Sequence, residues 1–154
     1  MGYGNVDRGD DGLGYHVVNA IAHRFGQPDV EPYSDLPSVL ADAVDVMFQR
    51  QLTPEMADLL GEYDQVVFID AHTGAYQEEL RLVAVEAGYV PSALTHHLSP
   101  ETLLVLTEVL AGRAPRGYLC SARGYEFDFS NELSARTKEL AKQVVEQVLA
   151  LVSA

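Results

Sequence analysis

Apolar residues recur along the chain with two alternating periods, one of two residues and one of three to four. From Gly12 to about Phe25 a helix is predicted, with Leu13, Val17, Ile21 and Phe25 on one face, and Gly26-Gln27-Pro28 ends it. Val44 to Leu52 predicts a strand, with Val44, Val46 and Phe48 on one side. Thr53-Pro54-Glu55 then opens a predicted helix: Thr as N-cap, Pro at the first helical position, an acid in the first turn, and Gly61 as the stop. Gln65-Val66-Val67-Phe68-Ile69-Asp70 has the β-branched, uninterrupted apolar character of a strand covered on both faces. Leu80 to Glu86 alternates again. Nine residues separate it from Asp70, fewer than the dozen or so a parallel crossover takes, so it is expected to run antiparallel to the strand before it. Ser99-Pro100-Glu101 starts another helix, whose expected inner face is Leu103, Leu106 and Leu110, up to Gly112. Gly117 to Ala122 is the last expected strand. A long terminal helix follows, with Leu133, Leu140, Val144, Val148 and Leu151 on one stripe. This alternation predicts a three-layer α/β domain with a mostly parallel sheet.

Composition narrows the function classes. A chain of 154 residues suits one domain, spanning 1–154. Ten Lys and Arg against 23 Asp and Glu give a net charge of −13, which repels nucleic-acid backbones and anionic membranes and admits a basic protein partner or a metal cation. The single cysteine, Cys120, rules out an internal disulfide and a Cys-based zinc site. Inside a predicted strand it reads as a small packed hydrophobe. No apolar run approaches the ~20 residues of a membrane helix. The N-terminal segment has no signal-peptide core, and Val6 breaks the myristoylation pattern, so a cytoplasmic location is expected.

Three places carry candidate chemistry. The first is Gly9-Asp10-Asp11-Gly12-Leu13-Gly14, where glycines allow a tight turn and two acids stand at the mouth of a helix. The bland reading makes Asp11 the N-cap of that helix. Gly2-x-Gly4 with Gly9 has the wrong spacing for a dinucleotide loop, and an acid pair would repel a pyrophosphate. The second is Asp70, ending the buried strand at the carboxyl edge of the sheet, where open α/β sheets hold their sites; the bland alternative is a loop cap. The third is Thr95-His96-His97, just before the Ser99-Pro100 helix start, as solvated side chains or as imidazole ligands. His72 reads as solvent-exposed or as a neighbour supporting the site, and His16 and His23 as surface positions. Two carboxylates and an imidazole would make a mixed oxygen and nitrogen site for a divalent transition metal. Neither a Gly-x-Ser-x-Gly elbow nor a His-Glu-x-x-His helix is present.

The segment Gly2-Tyr3-Gly4-Asn5-Val6-Asp7-Arg8-Gly9-Asp10-Asp11-Gly12-Leu13-Gly14 resembles the opening motif of the nickel–iron hydrogenase maturation proteases. Val67-Phe68-Ile69-Asp70-Ala71 resembles their second motif, and Thr95-His96-His97-Leu98-Ser99-Pro100 their histidine segment. Gly124-Tyr125-Glu126-Phe127-Asp128 with Leu133-Ser134 resembles the stretch before their last helix. The likeness runs the length of the chain in the same order.

This resemblance implies an α/β/α sandwich whose mostly parallel twisted sheet has one antiparallel strand. It implies an endopeptidase, of aspartyl type, that removes the C-terminal extension of a nickel-loaded hydrogenase large-subunit precursor. The implied nickel ligands are Asp11, Asp70 and one histidine; His96 is preferred for its distance to the Leu103-Leu104 pair, with His97 in reserve. Asp11 and Asp70 are also the implied catalytic carboxylates. The nickel is expected to arrive with the substrate. A non-cleaving binding module or chaperone for the hydrogenase nickel site would use the same residues. One departure stands out: the family's short apolar strand before Gly-x-Gly-Asn is absent here, since Met1 stands where it should end. A gap in the sheet, or closure of the strands around Val46 and Phe68, is therefore expected.

Overall fold

The computed structural model describes residues 1–90 and 97–153. Its strands are β1 (Gly2–Tyr3), β2 (Ser38–Ala41), β3 (Val44–Val46), β4 (Phe48–Gln49), β5 (Gln65–His72), β6 (Leu80–Val85) and β7 (Arg116–Arg123). Its α-helices are α1 (Leu13–Arg24), α2 (Met56–Leu60), α3 (Pro100–Ala111) and α4 (Ala135–Val152). Five strands form one sheet in the order β4-β1-β5-β7-β6. All neighbours in it are parallel except β6 and β7. Val67, Ile69 and Cys120 face α1 and α4, while Val66 and Phe68 face α2 and α3. That is the expected three-layer sandwich, and the two-sided burial explains why β5 is apolar at successive positions.

Several elements differ from the sequence reading, each for a tertiary reason. The Val44 to Leu52 segment is broken at Met47. Its first half turns away to pair with β2 as a separate antiparallel hairpin, and only Phe48–Gln49 joins the main sheet. Thr53 caps no α-helix through its side chain: α2 begins at Met56, after backbone turns from Met56 to Thr53 and from Ala57 to Pro54. β6 runs opposite to β5, as its short connection requires, yet its partner is β7, which lies between them.

Helix α3 starts as predicted. The Ser99 hydroxyl accepts from the Thr102 N–H, Pro100 opens the first turn, and Gly112 ends it in the left-handed region with φ 77°. Its buried face, however, is Leu103, Leu104 and Thr107, and Leu110 is 59% exposed. The end of α2 fixes this rotation. A Cβ on Gly61 would lie 2.4 Å from the Ala111 Cβ, so the helices meet along the 103–107–111 row. The terminal helix buries Leu140, Val144 and Val148 as expected, and adds Thr137, Ala141 and Val145. Cys120 is fully buried, and burial pushes its thiol up to about 11. No helix among the described residues is long and apolar enough to cross a membrane.

At the N-terminus, β1 occupies the centre of the sheet for two residues only. Gly2 pairs with Phe48 on one side and Ile69 on the other. The flanking strands do not close up. A cavity of about 470 Å³ remains between them, bounded by Met1, Val46, Met47, Val66 and Val67.

Candidate active site

The loop after β1 turns back under the sheet edge because glycine stands where a side chain cannot. Gly4 has φ 142°, and a Cβ there would lie 2.1 Å from the Asp11 carbonyl oxygen. Gly14, in the first turn of α1, would meet the Tyr3 nitrogen at 2.9 Å and the Ile69 oxygen at 3.0 Å. These contacts seat the start of α1 directly on β1 and β5. A 3-10 turn at Gly9–Gly12 then buries Asp10 and leaves Asp11 partly exposed.

Asp10 points inward and is completely buried. Its Oδ1 accepts from the Ser134 N–H at 2.7 Å. Its Oδ2 accepts from the Tyr125 and Glu126 N–H groups at 2.7 and 3.0 Å, and from the Ser134 and Thr137 hydroxyls at 2.7 and 2.9 Å. Burial alone would raise its carboxyl; the backbone donors outweigh this and hold it below the usual range. Ser134 is also the N-cap of α4, its hydroxyl accepting from the Thr137 N–H. Tyr125, Glu126 and Ser134, together with Thr137 in the first turn of α4, thus wrap the first acid of the pair.

Asp11 is only partly buried. It is not the helix cap of the bland reading. Gly12 holds that position without a side-chain bond, and the Asp11 Oδ2 instead accepts from the Asn5 N–H at 2.9 Å. That bond fastens the carboxylate across the glycine turn and leaves lone pairs for another partner.

Asp70 lies near the end of β5, one position past the Gly2–Ile69 pairing. Burial pushes its carboxyl up to about 7. The Ala71 N–H opposes that rise, the nearby Asp11 charge adds to it, and the Tyr3 hydroxyl opposes it by donating to the carboxylate. The two acids therefore stand within electrostatic reach of each other at the carboxyl edge of the sheet. Tyr3 was not singled out by sequence reasoning. Its only signal was an aromatic with a polar tip between two glycines, beside the strand that carries Asp70.

The stability consequence of Asp70 has a definite sign. Between about pH 4 and pH 7 the folded state holds a proton here that the unfolded chain has released, so this group's contribution to stability falls as pH rises across that window. Asp70→Asn removes the buried charge. It is expected to stabilise the protein by roughly 1–3 kcal/mol at pH 8 and by little near pH 4. Thermal melts of both proteins across that range check this, and an equal effect at both ends would contradict it.

The histidines divide. His72 is 9% exposed, not solvated. Its Nδ1 meets the Ser121 hydroxyl at 2.9 Å and its Nε2 the Glu78 carbonyl at 3.0 Å, which occupies both ring nitrogens. Because the Glu78 carbonyl can only accept, Nε2 carries the proton and Nδ1 accepts from Ser121. Burial also holds this imidazole below its usual pKa. His16 is half-buried against the Asn131 carbonyl, and exposed His23 pairs with Asp29. His97 is an exposed residue just before α3. His96 lies outside the described residues. Among the described residues, no three His, Cys, Asp or Glu side chains gather into a metal-holding group. The carboxylate pair is what the described residues bring together.

No protein-family model and no curated protein matches the sequence. Solved structures do match the fold. A [NiFe] hydrogenase maturation protease, HycI, from Thermococcus kodakarensis is 20% identical, with 99% of this chain and 90% of that one covered and a TM-score of 0.63. The hydrogenase maturating endopeptidase HybD of E. coli is 19% identical over 98% of this chain and 88% of its own, with a TM-score of 0.64. A hydrogenase 2 maturation peptidase from a Thaumarchaeota archaeon is 22% identical over 99% of this chain and 95% of its own, with a TM-score of 0.65. At these identities the likeness is one of fold.

Proposed function

We propose that this chain is a maturation endopeptidase that removes the C-terminal extension of a nickel-loaded hydrogenase large-subunit precursor, docking on the substrate's nickel. The observation that carries this reading is the Asp11–Asp70 pair, held at the carboxyl edge of β5 on a fold shared with hydrogenase maturation proteases. Asp11, Asp70 and His96, with His97 in reserve, offer the oxygen and nitrogen donors that suit a divalent transition metal. A three-donor grip leaves coordination positions for the substrate's own ligands. It also suits an enzyme that reads the metal and then lets it go. Asp70, with a carboxyl near 7, is matched to proton transfer around neutral pH. Asp11, fastened by the Asn5 N–H, supplies fixed negative charge beside it.

The test is the mass of a nickel-loaded large-subunit precursor before and after mixing with the protein. Loss of a C-terminal tail supports the endopeptidase. A stable complex of two full-length masses would instead support the non-cleaving chaperone. The same assay assigns the histidine: His96→Ala is expected to abolish cleavage and leave the thermal midpoint unchanged, while His97→Ala is expected to affect neither. The reverse pattern would keep the mechanism and move the ligand by one position.

A further inference from the structure

Two arginines stand near Asp70 without an acid of their own. Asp70 on β5, Ser121 on β7 and Arg81 on β6 are in register and form one row across the sheet. Arg81 therefore lies two strands from Asp70, about 10 Å along the row. His72 and Arg123 form the next row of β5 and β7, so Arg81 and Arg123 are diagonal neighbours. Each guanidinium is braced by a ring: Arg81 lies 3.7 Å from the centre of Tyr76, and Arg123 4.9 Å from that of Tyr125. Tyr76 packs in turn at right angles to His72, with ring centres 5.3 Å apart. Both ring nitrogens of His72 are engaged, so this histidine supports the stack. The Arg123 Nε is enclosed and has no hydrogen-bond partner among the described residues. Its Nη2 faces Gly74, where an added Cβ would lie 3.0 Å away. Among the described residues, ion pairs engage Arg24, Arg113, Arg136 and Lys142, but neither Arg81 nor Arg123. Glu79 is held by Arg136 and by the Tyr125 hydroxyl. Glu78 is exposed and meets His72 through its carbonyl oxygen, not its carboxylate.

We propose that Arg81 and Arg123 form a carboxylate-binding subsite for an extended polypeptide that crosses the carboxyl edge of the sheet from Asp70 toward β6. That this polypeptide is the substrate rests on the endopeptidase reading. A guanidinium stacked on a tyrosine keeps its in-plane N–H groups free to donate, and that fork matches the two oxygens of a carboxylate. The net charge of −13 repels an anionic peptide over most of the surface, so two unengaged cations near Asp70 give it a fixed landing point. Like charges set as close neighbours across strands repel each other, and a carboxylate between them relieves this. The orphaned Arg123 Nε gains an acceptor in the same step. An extended chain advances about 3.3 Å per residue, so the bound carboxylate would lie about three residues from the bond held at Asp70. An acidic side chain and the end of the chain present the same two oxygens, and the test separates them.

The test titrates isotope-labelled protein with three peptides and follows the arginine Nε–H resonances. The peptides are acetyl-Gly-Glu-Glu-Gly-amide, acetyl-Gly-Gln-Gln-Gly with a free terminal carboxylate, and acetyl-Gly-Gln-Gln-Gly-amide. Binding of the first assigns an acidic side chain, and binding of the second a chain end. Equal binding of all three, or none, would overturn the proposal. Arg81→Gln and Arg123→Gln are each expected to weaken the carboxylate peptide at least about tenfold, and Arg81→Lys nearly as much, because it keeps the charge and loses the fork. Arg116→Gln removes the same charge from the other end of β7 and should weaken it less than about twofold. Thermal melts of the same preparations show which variants are folded, and Arg81, on an edge strand, decides the matter should Arg123→Gln not fold. On the nickel-loaded precursor, Arg81→Gln is expected to raise KM about tenfold with kcat within about twofold, the signature of a lost binding contact. An unchanged KM beside normal cleavage would remove the subsite and leave the endopeptidase. Intact peptide binding with no cleavage by any version would remove the endopeptidase and leave the carboxylate site.

Discussion

Asp10→Ala is expected to lower the stability of the folded protein by roughly 3–5 kcal/mol. The carboxylate is completely buried and accepts from three backbone N–H groups and two hydroxyls. Its removal leaves all five donors without an anion, and it loosens the Ser134 cap of α4 at the same time. Asp10→Asn should rescue little. Oδ1 faces the Ser134 N–H and Oδ2 faces the Tyr125 and Glu126 N–H groups, so whichever position the amide nitrogen takes, it meets a donor. Chemical denaturation of the two variants checks this; an Asn variant within about 1 kcal/mol of the parent would refute the anion role. The sign of the pH dependence follows from the depressed carboxyl. This stabilisation is fully present above the unfolded pKa near 4 and is lost as pH falls through the lower folded value.

Asp11→Asn is expected to do the opposite. Among the described residues only the Asn5 N–H bonds this side chain, and the amide oxygen of Asn can still accept from it. Stability should therefore stay within about 0.5 kcal/mol of the parent. Cleavage of the nickel-loaded precursor should fall by about 10²–10⁴-fold, because the fixed charge beside Asp70 is gone. Asp11→Ala should lose cleavage as well, with a stability cost of roughly 1 kcal/mol for the orphaned Asn5 N–H. Size-shift assays and melts on the same preparations separate the two effects. Full cleavage by Asp11→Asn would leave the residue a purely structural role. Adjacent acids of identical type are thus expected to answer opposite assays.

That division of labour is where sequence reasoning reached its limit. The pair Asp10-Asp11 was legible as an acid-rich turn before a helix, and Asp70 as the acid ending a buried strand. Which acid points inward depends on the 3-10 turn at Gly9–Gly12 and on donors from residues 125–137, more than a hundred positions away. Nothing local encodes that direction. His72 shows the same limit. Two residues past Asp70 it reads as solvent-exposed or as a neighbour supporting the site, but β5 continues through it, and Ser121 on β7 lies across the sheet to bond it.

Sequence alone determined the elements whose signals are local. Ser99-Pro100 and Gly112 bound α3 because cap chemistry acts within a turn. β5 was legible because burial on both faces demands an unbroken apolar run, and the direction of β6 because nine residues are too few for a parallel crossover. Tertiary structure decided the rest. It made β7 the partner of β6, turned Leu110 outward by setting α3 against α2, and drew Val44–Val46 into a hairpin away from the main sheet. In each case several arrangements satisfy the same local pattern of apolar residues. The choice among them is made by long-range pairing and close packing, which no window of neighbouring residues contains.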